Sequence, residues 1–210
     1  MSKENYQGKK ITIYFDGSKC IHSRNCVLKE PGVFKANTPG DWIQPDNAPS
    51  HALIALAHNC PSGAITYEMA NGLDTELPPH VNTIHVRENG PYAVAADIGI
   101  GSAERTTRAT LCRCGLSENK PYCDGSHAAG GFAATGERES NASDPLEIRN
   151  GPLDITPTPD GPLKVHGNVE ICAGTGHTID RTTATFLCRC GHSGNKPFCD
   201  GSHKKIGFKS

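Results

Sequence analysis

Sixteen residues from Cys112 to His127, CRCGLSENKPYCDGSH, hold three cysteines, a histidine and an aspartate. The pattern returns 76 residues later as CRCGHSGNKPFCDGSH, Cys188 to His203. Thiolate and imidazole are soft donors, so the chemistry they suit first is holding a metal. In an extended chain Cys112 and Cys114 face the same side while Arg113 points away, and Gly115 lets the backbone turn tightly beyond them. Cys123 and His127 stand four apart, the spacing that puts two side chains on one face of a helical turn. Asp124 suits the N-cap of that turn, whose amides would face an anionic centre. Pro121 fixes the approach, and the Ser117 hydroxyl is placed to donate to a sulfur. Cys188, Cys190, Cys199 and His203 repeat the arrangement, with Ser193, Pro197 and Asp200 in support. Two donor pairs suit a two-iron centre with one pair per iron. The rival is a single Zn²⁺ held by three cysteines and a histidine. Zinc sites usually space paired cysteines by two to four residues, and Cys-x-Cys is tighter than that.

Short β-strands are expected to carry these donors. IHVRENGPYAV (Ile84–Val94) matches ITPTPDGPLKV (Ile155–Val165) at an offset of 71. Asn89-Gly90 and Asp160-Gly161 signal a hairpin in each copy. After a five-residue insertion in the second copy, ERTTRATLCRCG aligns with DRTTATFLCRCG at an offset of 76, and each copy closes on Gly-Phe (Gly131-Phe132, Gly207-Phe208). ATGERESNASDP (Ala134–Pro145) joins them. The copies, residues 81–133 and 150–210, are each roughly fifty to sixty residues long, too few for a core of their own without a metal or a partner. They are therefore expected to pack on each other as an internal pseudo-dimer. Residues 1–70 form a separate segment. KKITIYFDG reads as a strand, SHALIALAHN (Ser50–Asn59) as a helix with Ser50 able to cap it, and AITYE (Ala64–Glu68) as a strand. NGLDTELPPH (71–80) reads as a linker. The expected fold is an α+β N-terminal domain followed by a mostly-β tandem pair.

Composition narrows the function. The formal net charge of −1 supplies no basic field for nucleic acid. The start, MSKENYQGKK, lacks the apolar core of a signal peptide, and the longest apolar stretch, near Ala52–Ala57, is too short to span a bilayer. A cytoplasmic protein without membrane contact is expected. Ten cysteines in 210 residues fall below the share of roughly 8–10% that marks a disulfide scaffold. Six of them sit in the two Cys-x-Cys-x8-Cys arrays, which suits an inorganic centre better than crosslinks. Cys172 has no counterpart in the first copy and reads as packing.

Both arrays match the signature Cys-x-Cys-x2-Ser-x3-Pro-x-Cys-Asp-Gly-Ser-His, and residues from about 84 to 210 resemble the CDGSH iron–sulfur (mitoNEET-like) family. The resemblance implies one [2Fe–2S] cluster per copy, ligated by Cys112, Cys114, Cys123 and His127, then by Cys188, Cys190, Cys199 and His203. It also implies a monomer with two motifs. Replacing one thiolate by neutral imidazole raises the reduction potential. The expectation lies between about −400 mV for all-cysteine plant-type clusters and roughly −150 to +300 mV for two-histidine ones. Imidazole can leave the metal as pH falls, so potential and cluster retention are expected to depend on pH, and His127→Cys to abolish that dependence for its cluster.

CIHSRNC (Cys20–Cys26), VLKEPGVF (Val27–Phe34) and CPSGAI (Cys60–Ile65) carry a second resemblance, over residues 9–68, to single-cluster ferredoxins, with Ser23 where a second cysteine belongs. It implies that Cys20, Cys26 and Cys60 hold three corners of a cubane and that the N-terminal domain is ferredoxin-like. The fourth iron is either absent, giving [3Fe–4S], or bound by Ser23, His22, water or a partner, giving [4Fe–4S]. No flavin, nicotinamide or nucleophile–base arrangement is visible. The expectation is a non-enzymatic protein that passes electrons to a redox partner protein. The alternative is storage, sensing or transfer of pH-labile clusters to an apo iron–sulfur acceptor. A zinc-stabilised interaction module is the third reading.

Overall fold

The computed structural model describes residues 3–72 and 76–210, so the middle of the stretch read as a linker, Leu73–Thr75, lies outside the described residues. The chain divides into two compact units, Met1–Leu77 and Pro78–Ser210. It is mostly β, with short helices.

In the first unit β1 (Glu4–Gln7), β2 (Ile11–Phe15) and β3 (Ile65–Met69) form an antiparallel sheet in that order. Ile11 and Ile13 alternate inward along β2, the period-two pattern of a half-buried strand. A short helix, α1 (Asn25–Lys29), follows the first cysteine loop. The longer α2 (Ser50–His58) turns Leu53, Leu56 and Ala57 inward at helical spacing, onto a core with Ile13, Val33, Phe34 and Ile43. Trp42 meets Phe15 edge-on at 4.9 Å between ring centroids. Ser50 does not cap α2: the N-cap position falls on Pro49, and Ser50 is already the first helical residue. Proline's fixed φ sets the entry to the helix in its place.

The second unit contains β4 (Thr83–Val86), β5 (Tyr92–Ile100), β6 (Thr106–Leu111), α3 (Ser126–Ala129), β7 (Pro152–Pro157), β8 (Leu163–Cys172), β9 (Thr178–Leu187) and α4 (Ser202–Lys205). β5 and β8 are each shared between the copies. The first part of β5 (Tyr92–Ala95) pairs antiparallel with β4 of its own copy, and the second part (Asp97–Ile100) pairs parallel with β7 of the other copy. Likewise Leu163–His166 of β8 pairs with β7, and Glu170–Cys172 pairs parallel with β4. A register shift marks the change of partner at the same place in both copies, between Ala95 and Ile98 and between His166 and Val169. An irregularity of this kind bends a strand and re-aims the residues beyond it. β6 and β9 line the opposite edges of β5 and β8. One apolar core results, built from both copies: Ile84, Val94, Ile98 and Leu111 from the first, Leu153, Val165, Ile171 and Leu187 from the second. No helix among the described residues is long and apolar enough to cross a membrane.

Candidate metal centres

Strand ends deliver the first donor pair of each motif. Cys112 and Cys114 follow β6 directly, and their sulfurs stand 3.7 Å apart; Cys188 and Cys190 follow β9 at 3.8 Å. The second pair comes from the entry to a helical turn. The Cys123 sulfur lies 3.4 Å from His127 Nδ1, and the Cys199 sulfur lies 3.4 Å from His203 Nδ1. Two thiolates bound to one tetrahedral ion at about 2.3 Å stand roughly 3.8 Å apart, and a thiolate and an imidazole nitrogen roughly 3.5 Å apart. Each pair therefore fits two ligands on one metal atom. Among the described residues no three His, Cys, Asp or Glu side chains group to hold a single ion. The donors come as pairs.

Backbone amides point at the sulfurs. Leu116 N–H donates to Cys114, Gly125 N–H to Cys123 and Gly201 N–H to Cys199, each at 3.4 Å. The Cys112 thiol is brought down to about 6, chiefly by a hydrogen bond from Cys114 and then, against burial, by the amides of Ser117, Gly115 and Cys114. That same bond and burial push Cys114 up. Burial raises Cys123 to about 11 and also raises Cys190. Thiols held back from ionising in this way are released by a bound cation. Burial lowers the pKa of His127, which favours the neutral, ligating imidazole.

Two supporting residues act differently from expectation. The Ser117 hydroxyl donates to the Tyr122 carbonyl at 2.6 Å and accepts from the Asn119 amide, so it ties the loop together instead of donating to a sulfur. Ser193 does the same with Phe198 and Asn195. The Tyr122 and Phe198 carbonyls, within the same turns, take the two hydroxyl hydrogens. Gly125, with φ of 90°, occupies the N-cap of α3, so Asp124 caps from one residue earlier. Its carboxylate accepts the amides of Ser126 at 3.0 Å and Glu118 at 2.8 Å. Asp200 accepts those of Ser202 and Gly194. These bonds hold both carboxyls below the usual carboxylate range, at Asp124 against the opposing effect of burial.

Sequence reasoning missed the arginine between the first two cysteines. Arg113 does point away from the sulfurs, but into the protein, where it is buried. Its guanidinium donates to the carbonyls of Gly90, Arg87, Ala134 and Thr135 and lies over the Phe132 ring. Arg189 holds Gly161, Thr158 and the Ser210 hydroxyl, and lies over Phe208. Each arginine thus fastens its donor loop to the hairpin turn of its own copy and to the segment after the motif. The Asn-Gly and Asp-Gly turns were the available signal, since the accepting carbonyls of Arg87, Gly90, Thr158 and Gly161 lie in or beside them.

The two donor loops also touch each other. Cys114 and Cys190 form an antiparallel bridge. Gly115 and Gly191 take φ of +83° and +81°, and a Cβ on either would come within 2.8 Å or 2.5 Å of the carbonyl of Cys190 or Cys114. Glycine is required here both for the turn and for the close approach.

In the first unit Cys20, Cys26 and Cys60 line one cavity of about 300 Å³, together with Phe15, Trp42 and Ile65. His22, Ser23 and Ser62 line it too. Burial, and the charge of neighbouring cysteines, push the Cys20 and Cys26 thiols up, while the amides of His22 and Val27 oppose this. His22 Nδ1 stands 4.0 Å from the Cys20 sulfur, and the buried Ser62 hydroxyl 3.7 Å from that of Cys60. Ser62 was not singled out in the sequence. Cys172 lies buried on β8, with its sulfur 3.8 Å from the Glu170 carbonyl.

Soft donors in pairs, amide-supported and partly buried, define a metal-cluster protein. Two segments, residues 89–128 and 160–204, match the family model described as iron-binding zinc finger, CDGSH type, and residues 6–70 match the divergent 4Fe-4S mono-cluster family. YjdI of Escherichia coli strain K12 is 37% identical over 62 residues, 30% of this chain and 80% of that protein, and YjdI of Escherichia coli O157:H7 matches to the same extent. No solved structure matches. The chain belongs to the CDGSH-type iron-binding family, with two such domains behind a YjdI-like, divergent 4Fe-4S mono-cluster domain. It binds iron–sulfur clusters.

Proposed function

We propose that the chain holds two [2Fe–2S] clusters, each on three cysteines and one histidine, and a third, cubane-type cluster on Cys20, Cys26 and Cys60, and that it passes electrons to a partner protein. The observation that carries this reading is the pairing of donors, 3.4–3.8 Å within each pair, one pair after a strand end and the other at a helical turn in each motif. A lone Zn²⁺ would draw four donors together, whereas a two-iron cluster needs one pair per iron. The clusters supply reversible one-electron chemistry; the protein supplies the donors, the amides and the burial around them. Substrate chemistry belongs to the partner, and the two CDGSH copies act as an internal pseudo-dimer within one monomer.

Iron and sulfide analysis with EPR of the as-isolated and reduced protein tests this. About two irons per CDGSH motif are expected; stoichiometric zinc in a colourless protein overturns it. A near-isotropic signal in the oxidised protein identifies [3Fe–4S] in the N-terminal cavity. Its absence, with a fast-relaxing reduced-state signal in addition to those of the two [2Fe–2S] clusters, favours [4Fe–4S] with His22, Ser23 or Ser62 at the fourth iron. The partial exposure of His127, Cys199 and His203 favours a second reading, delivery of clusters to apo-proteins. Loss of visible absorbance with matching gain in an apo-ferredoxin would support it.

A further inference from the structure

We propose that Tyr92, a residue of the first copy, holds the donor loop of the second centre and makes the two CDGSH centres unequal, the second being retained and the first giving way. This rests on the reading that each motif holds a cluster. Tyr92 opens β5 and is fully buried. Its hydroxyl lies 2.8 Å from the carbonyl oxygen of Cys188 and 2.9 Å from that of Pro197. The Pro197 carbonyl also accepts the Cys188 amide at 2.8 Å. The hydroxyl therefore closes a knot around the residue that begins the second donor set.

The repeat supplies the internal control. At the offset of 71, Leu163 stands where Tyr92 does. Leu163 is equally buried and has no hydroxyl to offer the first donor loop. The first loop has the same local bond, Cys112 N–H to the Pro121 carbonyl at 2.8 Å, without a tyrosine from the other copy behind it. A second difference runs the same way. His192 Nδ1 lies 2.8 Å from the Cys190 carbonyl, whereas the corresponding residue of the first copy is Leu116, an exposed side chain with nothing to donate.

A buried hydrogen bond of ordinary net strength corresponds to about 3- to 10-fold in a rate or equilibrium. A donor dipole aimed at the main chain of a ligand also favours the more negative, reduced state. Tyr92 is thus a positioning residue with two readouts, retention and potential. The test uses the full chain in a Cys60→Ser background, which removes the N-terminal centre. Cys123→Ser then leaves only the second CDGSH centre and Cys199→Ser only the first, each with and without Tyr92→Phe. Visible absorbance is followed under chelator challenge, and potentials by EPR-monitored titration. The second centre should decay about 3- to 10-fold more slowly than the first. Tyr92→Phe should remove that advantage and lower the potential of the second centre, leaving the first unchanged. Equal decay of the two centres, or an equal or null effect of Tyr92→Phe on both, overturns the proposal. In the chain that keeps both ligand sets, Tyr92→Phe should accelerate only the slow phase of a biphasic decay, which covers the event that a cysteine variant misfolds. A colourless parent protein would defeat the cluster reading itself and this proposal with it; a coloured parent with equal centres defeats this proposal alone.

Discussion

The N-terminal and CDGSH sites gather the same donor, cysteine, in different ways. Around Cys20, Cys26 and Cys60 the fold leaves a hollow of about 300 Å³ walled by aromatic and aliphatic side chains, with single thiols set around it. In the CDGSH loops the donors close on each other in pairs of 3.4–3.8 Å, and main-chain amides aim at the sulfurs. A compact cube needs room and one donor per corner, whereas a flat two-iron unit needs two facing clamps. If the two sites hold the clusters proposed above, cysteine count alone says little about nuclearity. The space the fold leaves, and how far apart it holds the donors, carries that information.

The sharpest way to break the comparison is to remove one donor from each kind of site. Cys60→Ser should cost the N-terminal site all of its three or four irons, and Cys123→Ser about two, with the remaining EPR signals intact. Metal analysis showing equal losses would erase the distinction. Next in size is the junction of the two donor loops. Gly115→Ala or Gly191→Ala meets both a positive φ and the backbone of the other copy, and should destabilise the second unit by about 2–4 kcal/mol in urea unfolding. Gly40→Ala in the first unit has the positive φ but open space around it and should cost only about 1 kcal/mol. Arg113→Lys leaves several of four carbonyls without the planar fork that served them and should cost about 1–3 kcal/mol by thermal unfolding. Arg189→Lys, with only two main-chain carbonyls at stake, should cost less.

The smallest effect concerns pH and the strand pairing between copies. His85, on β4 opposite Cys172, has its pKa lowered by burial, with the Arg87 charge adding and a hydrogen bond to Ala173 opposing. The folded state favours neutral imidazole. Its contribution is complete above the ordinary value of about 6.5 and is lost as pH falls through it towards the lower folded value. His85→Gln should flatten the stability profile between about pH 7 and pH 5; an unchanged slope there would assign the acid sensitivity to other groups.

Much of the site was legible because its signals are local. Cys-x-Cys in extended chain and Cys-x3-His at a turn fix their own pair geometry, and Asn89-Gly90 and Asp160-Gly161 each announce a hairpin. The partner exchange along β5 and β8 was not legible, because it depends on pairings between residues 50 to 90 positions apart. Nor was the burial of Arg113. A charged residue in a core makes sense only once the carbonyls of the hairpin turn are known to surround it. The Ser117 expectation failed because the Tyr122 carbonyl of its own turn takes the hydroxyl hydrogen, and the Ser50 expectation because the N-cap position falls one residue earlier, on Pro49.

The shared long strands constrain how this tandem can be taken apart. A lone repeat, cut from its sister, would present the edge at 97–100 with no β7 to cover it. Such a fragment would have to recruit the same edge from a second molecule or leave that half of β5 without its parallel neighbour. Covalent fusion of the repeats has therefore converted what would be a concentration-dependent association into a built-in one, and left room for the two halves to differ.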